Sequence, residues 1–218
     1  MTRRVGAIGM ALAMLLGAGA KASAATITFG TGLGEINPGA VGSYATTVGG
    51  TTMTVLAQPN ATFTTTSGGL GITNGPFHLG AQADEAEAPE YFQILFAAPA
   101  TNVVLNLSKF FKNDGASIFN PSGTPEIGLL SVNGVAQPNF VATSTTGTYL
   151  LDLSLFGPVS SLTVTGAGVT SFFPFVSSEL ALRSVQFDAA PVPEPLTLSL
   201  LGFGLVGVGV RLRRRARA

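Results

Sequence analysis

Carboxylates are the side chains in this sequence best placed to do chemistry. Asp84, Glu85, Glu87 and Glu90 lie close together, and Asp114 follows in Asn113-Asp114-Gly115. Hard cations take oxygen ligands at such density. Asp84, Glu85 and Glu90, with Asp114 or Asp188, are therefore the candidate ligands for a Ca2+ ion. Their spacing fits no EF-hand or other defined loop, and a solvated turn accounts for the same run of charge, so the turn is preferred. Paired carboxylates also serve glycosidases. Sugar subsites usually stack rings on aromatic platforms, however, and this chain has no Trp and only 3 Tyr.

Other chemistries have less to work with. His78 is the only histidine, which rules out a His-rich metal site, and no nucleophile motif adjoins it. Cysteine is absent, which excludes thiol catalysis, Cys-ligated metals and disulfides. Thr-x-Thr pairs occur at Thr26/Thr28, Thr52/Thr54, Thr62/Thr64 and Thr163/Thr165, but at irregular intervals. They read as exposed strand faces rather than as an ice-ordering array. No catalytic residue is assigned, no cofactor beyond Ca2+ is considered, and the chain is read as a non-enzyme.

The elements that would position these groups are short strands. Charged residues make up 10% of the chain, with Gly 28 and Pro 13 among 218 residues. That composition suits strands joined by turns, and the abundance of Leu, Val, Ile and Phe argues against disorder. Strands are expected at 26–29, 51–57, 61–66, 91–97, 102–107, 126–132, 139–143, 148–155, 160–165 and 179–188. Their roughly ten-residue spacing suggests one all-β sandwich or jelly-roll domain over 25–190.

Three local patterns sharpen that expectation. Phe92, Ile94 and Phe96 share a strand face, as do Tyr149, Leu151, Leu153 and Leu155. Leu180 and Leu182 are out of phase with Val185 and Phe187, which predicts a β-bulge near Arg183-Ser184. Asn133-Gly134 between apolar runs predicts a two-residue hairpin.

Charge is distributed unevenly. Residues 25–195 hold three basic side chains, Lys109, Lys112 and Arg183, against all 11 acidic ones, a net −8. Such a domain is repelled by phosphate backbones, so nucleic acid is excluded as a partner. The remaining basic residues lie at the two ends of the chain.

Both ends read as targeting signals. Arg3 and Arg4 precede an apolar stretch from Val5 to Ala20, and Ala22-Ser23-Ala24 is a small-x-small triplet. This is a signal peptide over 1–24, cut by signal peptidase after Ala24, with Ala22 and Ala24 filling the shallow pockets. The twin-arginine motif is matched poorly, so the general secretory route is expected. At the other end Pro193-Glu194-Pro195 is followed by the apolar run Leu196 to Val210, then by Arg211, Arg213, Arg214, Arg215 and Arg217. The prolines hold the chain extended. The apolar run would span roughly 22 Å as a transmembrane helix, short for a ~30 Å hydrocarbon core. The arginines stop translocation and keep the last residues in the cytoplasm.

Pro193, Glu194 and Pro195, followed by the apolar run and the arginine cluster, closely resemble the PEP-CTERM sorting signal of Gram-negative bacteria. The resemblance covers 191–218 and implies recognition by an exosortase. It further implies a stage anchored in the inner membrane, then transfer to the cell surface or matrix, usually in species that make exopolysaccharide. The segment order is also similar to the jelly-roll modules of other PEP-CTERM proteins: Gly69-Leu70-Gly71-Ile72, an acidic loop, an E-x-F-x-I-x-F strand from Glu90 to Phe96, and a last strand ending in Phe187-Asp188. The expectation is a non-enzymatic surface or matrix protein associated with exopolysaccharide or biofilm. A carbohydrate-binding module, with Ca2+ as a stabiliser, is the alternative, and a matrix-polysaccharide hydrolase ranks below both.

Overall fold

Alternation of apolar and hydroxyl-bearing residues builds most of the strands. In Thr51–Ala57, Thr51, Met53, Val55 and Ala57 are buried, while Thr52, Thr54 and Leu56 are half-buried on the opposite face. A computed structural model describes residues 23–73, 86–87, 90–113, 123–167 and 178–189. The signal peptide up to Ala22, the tail from Pro191 onward, Asp84, Glu85, Asp114 and His78 all lie outside the described residues.

The described part falls within one compact unit, Ser23–Ala190, and is nearly all β. Its strands are β1 (Ser23–Thr28), β2 (Ser43–Val48), β3 (Thr51–Ala57), β4 (Thr62–Thr66), β5 (Gly69–Thr73), β6 (Ala86–Glu87) and β7 (Phe92–Ser108). They continue with β8 (Ile127–Val132), β9 (Val135–Ala136), β10 (Phe140–Val141), β11 (Tyr149–Asp152), β12 (Val159–Gly166) and β13 (Glu179–Ala189). Among the described residues the only helical element is a 3-10 turn, Ser154–Phe156. The strands form one open sheet whose main order is β10-β8-β12-β7-β13-β5-β4.

The 17-residue β7 organises the sheet. Its first half pairs with β3 and β12, through Phe96↔Met53 and Ile94↔Leu162. Its second half pairs with β11 and β13, through Leu105↔Leu151 and Leu107↔Leu182. Sequence patterning divides this strand in two, at 91–97 and 102–107, with Pro99 between them. The backbone stays extended through Pro99 instead. The β12 ladder skips from Leu95 to Ala100, so the proline, which has no N–H to give, sits where that ladder has no register pair.

The predicted bulge is present. The register of β13 on β7 shifts between Leu182↔Leu107 and Ser184↔Asn106, leaving Arg183 as the extra residue. Leu180, Leu182, Val185 and Phe187 are consequently all buried. The predicted hairpin is also present, with Asn133 and Gly134 at φ 51 and 79 joining β8 to β9.

One predicted strand is cut short. The run 148–155 is a strand only to Asp152. There the Asp152 carboxylate accepts the backbone N–H of Ser154 at 2.9 Å, turning the chain into the 3-10 turn. Leu153 stays buried at 1% exposure, but Leu155 is thrown out to 96%.

Aromatic rings fill the core. Phe63 stacks with Phe92 at 6.4 Å between ring centroids, Phe96 meets Phe187 at 5.0 Å, and Phe110 meets Phe140 at 5.2 Å. Such pairs add attraction beyond the area they bury.

Candidate functional site

Three features deserve description as sites: the end of the domain where the tail departs, the candidate cation ligands, and a charge-free sheet face. At the first of these, β1 runs antiparallel to β13 with Ser23 opposite Ala189, Ala24 opposite Asp188 and Ala25 opposite Phe187. The chain therefore enters and leaves the described domain at neighbouring positions. Asp188 is held there by Asn102, whose Nδ2 donates to its carboxylate at 2.8 Å. Pro193 lies four residues beyond Ala189, so an extended chain puts the Pro-Glu-Pro motif within about 14 Å of the last strand residue.

The candidate cation ligands are only partly described. Glu90 is buried, at 1% exposure, just before β7, and its backbone carbonyl accepts the hydroxyl of Thr165. Asp188 is engaged by Asn102. Asp84, Glu85 and Asp114 lie outside the described residues, as does the side chain of Glu87. Among the described residues no group of three His, Cys, Asp or Glu could hold a metal ion.

Two acidic residues that sequence reasoning left aside have clear structural work. Glu126, at 2% exposure, accepts the backbone N–H of Phe111. Its own N–H donates to the Phe111 carbonyl at 3.0 Å. Glu35 forms an ion pair with Arg183. The same guanidinium donates to the carbonyls of Phe29 at 2.7 Å and Ser67 at 3.2 Å. The bulge in β13 is what aims Arg183 at this junction of β1, the 30–36 loop and the β4–β5 turn. The hydrogen bond from Arg183, helped by one from the Gly32 N–H, holds the Glu35 carboxyl below its ordinary range.

The third feature is an absence of charge. Strands β2, β3, β8, β9, β10 and β12, together with all of β7, contain no Asp, Glu, Lys or Arg. Their outward residues align in rows across the sheet. Leu56 is level with Gln93, Gln93 with Thr163, and Thr163 with Ser131. A second row runs Ala45, Thr54, Leu95, Ser161. Two of the four Thr-x-Thr pairs, Thr52/Thr54 and Thr163/Thr165, are thereby brought onto this face. Their charges having been placed elsewhere, these strands present hydroxyls, amides and aliphatic groups without charge.

An all-β domain followed closely by a tail of Pro-Glu-Pro, apolar residues and arginines belongs to the class of exported proteins that carry a C-terminal sorting signal. The PEP-CTERM protein-sorting motif matches this chain over residues 191–215, which takes in Pro193, Glu194, Pro195 and the arginines from Arg211 to Arg215. The chain thus carries the signal of an exosortase substrate, a membrane-associated protein sorted to the cell surface. Among the described residues no helix is long and apolar enough to cross a membrane. No curated protein matches the sequence. Among solved structures, a DUF4465 family protein from Bacteroides ovatus is similar over 78% of this chain and 100% of its own, with a TM-score of 0.39 and 8% identity.

Proposed function

We propose that this protein is a non-enzymatic component of the cell surface or extracellular matrix that associates with exopolysaccharide. The observation that carries the reading is the sorting motif at 191–215. In this account signal peptidase cuts after Ala24, and Leu196–Val210 holds the chain in the inner membrane as a helix. The arginines fix its orientation, and exosortase then acts at Pro193-Glu194-Pro195. The domain is a sandwich of jelly-roll type. The ring contact Phe63–Phe92, between β4 and β7, which are not paired with one another, supports two layers packed face to face.

A carbohydrate-binding role is the second reading, favoured by the charge-free face. A neutral glycan needs hydroxyl and amide partners without a competing field, and the row Gln93, Thr163, Ser131 supplies them. Ca2+ at Asp84, Glu85, Glu90 and Asp114 would then be a stabiliser rather than a catalyst. Hydrolysis of matrix polymers is the weakest reading, since no carboxylate lies in the strands of this face.

Co-sedimentation of the purified protein with extracellular polysaccharide from the producing strain tests the association. Binding is expected, and Gln93→Glu with Thr163→Glu should abolish it by placing two carboxylates on the face. Wild-type protein that stays in the supernatant contradicts the association. Binding unaffected by the substitutions contradicts the assignment of the face.

A further inference from the structure

The end of the domain from which the sorting tail departs also exposes several large apolar side chains. Leu155 is 96% exposed, Val135 63% and Phe156 42%. Strand register places them together. Asp188, one residue before the end of β13, pairs with Thr101 of β7. On the opposite side of β7, Asp152 pairs with Val104, and Leu153 donates its N–H to the Val103 carbonyl at 2.8 Å. The 3-10 turn carrying Leu155 and Phe156 therefore lies about two strand spacings, roughly 10 Å, from the end of β13. The hairpin before Val135 is tied to the same end. Asn133 donates to the carbonyl of Pro158 at 3.1 Å and accepts the N–H groups of Ser160 at 2.8 Å and Ser161 at 3.2 Å. Val159 in turn pairs with Ala100 of β7.

The tail is short enough to matter. Leu196, the first residue of the apolar run, is seven residues beyond Ala189, so an extended chain can separate them by only about 25 Å. With the tail in a bilayer, this end of the domain is confined to the lipid surface. Asp152 and Asp188 sit at the same end and disfavour anionic headgroups.

We propose that, while the tail is anchored, Leu155, Phe156 and Val135 seat this end of the domain on the zwitterionic surface of the bilayer and so present Pro193-Glu194-Pro195 at a fixed height above it. The proposal rests on the anchored stage described above. Leu and Phe at the tip of a rigid turn suit the interface, where aromatic and aliphatic groups leave water without crossing the membrane.

The absence of cysteine gives a direct test. Leu155→Cys, Leu33→Cys and Leu201→Cys are made singly in the full chain, labelled with an environment-sensitive fluorophore, and reconstituted into phosphatidylcholine–phosphatidylethanolamine vesicles. Leu33 is fully exposed in the 30–36 loop, which joins β13 at Arg183, about 17 Å along the strand from Asp188, and is the aqueous reference. The expected result is a blue-shifted emission protected from aqueous quencher at positions 201 and 155, and an unshifted, quenchable emission at 33. A tail label in lipid with position 155 as quenchable as position 33 overturns the docking and leaves the anchor standing. A tail label in water overturns both.

Discussion

Ser23 stands opposite Ala189 in the antiparallel register of β1 and β13, so the first and last described residues of the domain lie side by side. The strand next to the sorting motif is thus closed by the residues next to the proposed signal-peptide cut. This arrangement constrains the order of events, because β1 contains part of the proposed cleavage triplet.

Cleavage after Ala24 removes the two outermost pairs and leaves Ala25↔Phe187 as the first. A protease needs the triplet extended and accessible, so the cut precedes the pairing of β1 with β13. N-terminal sequencing of exported protein should begin at Ala25; retention of Met1 contradicts the assignment.

Arg183 ties the end of β1, the 30–36 loop and the β4–β5 turn through its bonds to Phe29, Ser67 and Glu35. Arg183→Ala leaves those carbonyls to water or to nothing and should cost about 2 kcal/mol in denaturant unfolding. An unchanged unfolding midpoint contradicts the role given to this side chain.

The same pair predicts a pH response. The folded-state pKa of Glu35 is depressed below its ordinary 4.5, chiefly by the hydrogen bond from Arg183. Its contribution is therefore fully present above that pH and is lost as pH falls through the depressed folded value. Stability measured from pH 7 downward should decline more steeply in the wild type than in Glu35→Gln below about pH 4.5. Parallel profiles contradict the assignment.

Gly128 lies under the Phe140 ring, which itself contacts Phe110 at 5.2 Å and Tyr149 at 5.3 Å; a Cβ there would overlap the ring. Gly128→Ala must push that cluster aside and should destabilise the domain by about 1–3 kcal/mol. Thermal unfolding checks it, and a wild-type melting temperature contradicts it.

Much of the architecture was readable from side-chain alternation, and the misses have physical causes. The β13 bulge was legible because Leu182 and Val185 cannot share a face without it. β2 was missed although Gly49-Gly50, at φ 60 and 81, is the same kind of two-residue turn signal as Asn133-Gly134; Ser43–Val48 has too few apolar residues to look like a strand. β5 was missed because two of its five residues are glycine. Gly69 is needed there, since a Cβ would meet the Leu182 carbonyl at 2.8 Å. The break after Asp152 depends on one side-chain hydrogen bond that alternation cannot reveal. The charge-free face depends on which strands become neighbours, and Arg183's three partners are 116 to 154 residues away, so neither could be read locally. The sorting motif, by contrast, is a linear signal and needs no fold to be recognised.

The central claim is that Pro193-Glu194-Pro195 is a recognition element separate from membrane insertion. On the proposed reading, insertion depends on the apolar run Leu196–Val210, and orientation on the arginines. The direct measurement is cell fractionation of a chain tagged after Ala25 and after Ala218, in a host that has an exosortase, with Pro193→Ala, Glu194→Ala and Pro195→Ala combined. The account predicts that the variant is exported and inserted but keeps its C-terminal tag and accumulates in the inner membrane. A variant that loses that tag and reaches the surface like wild type contradicts it.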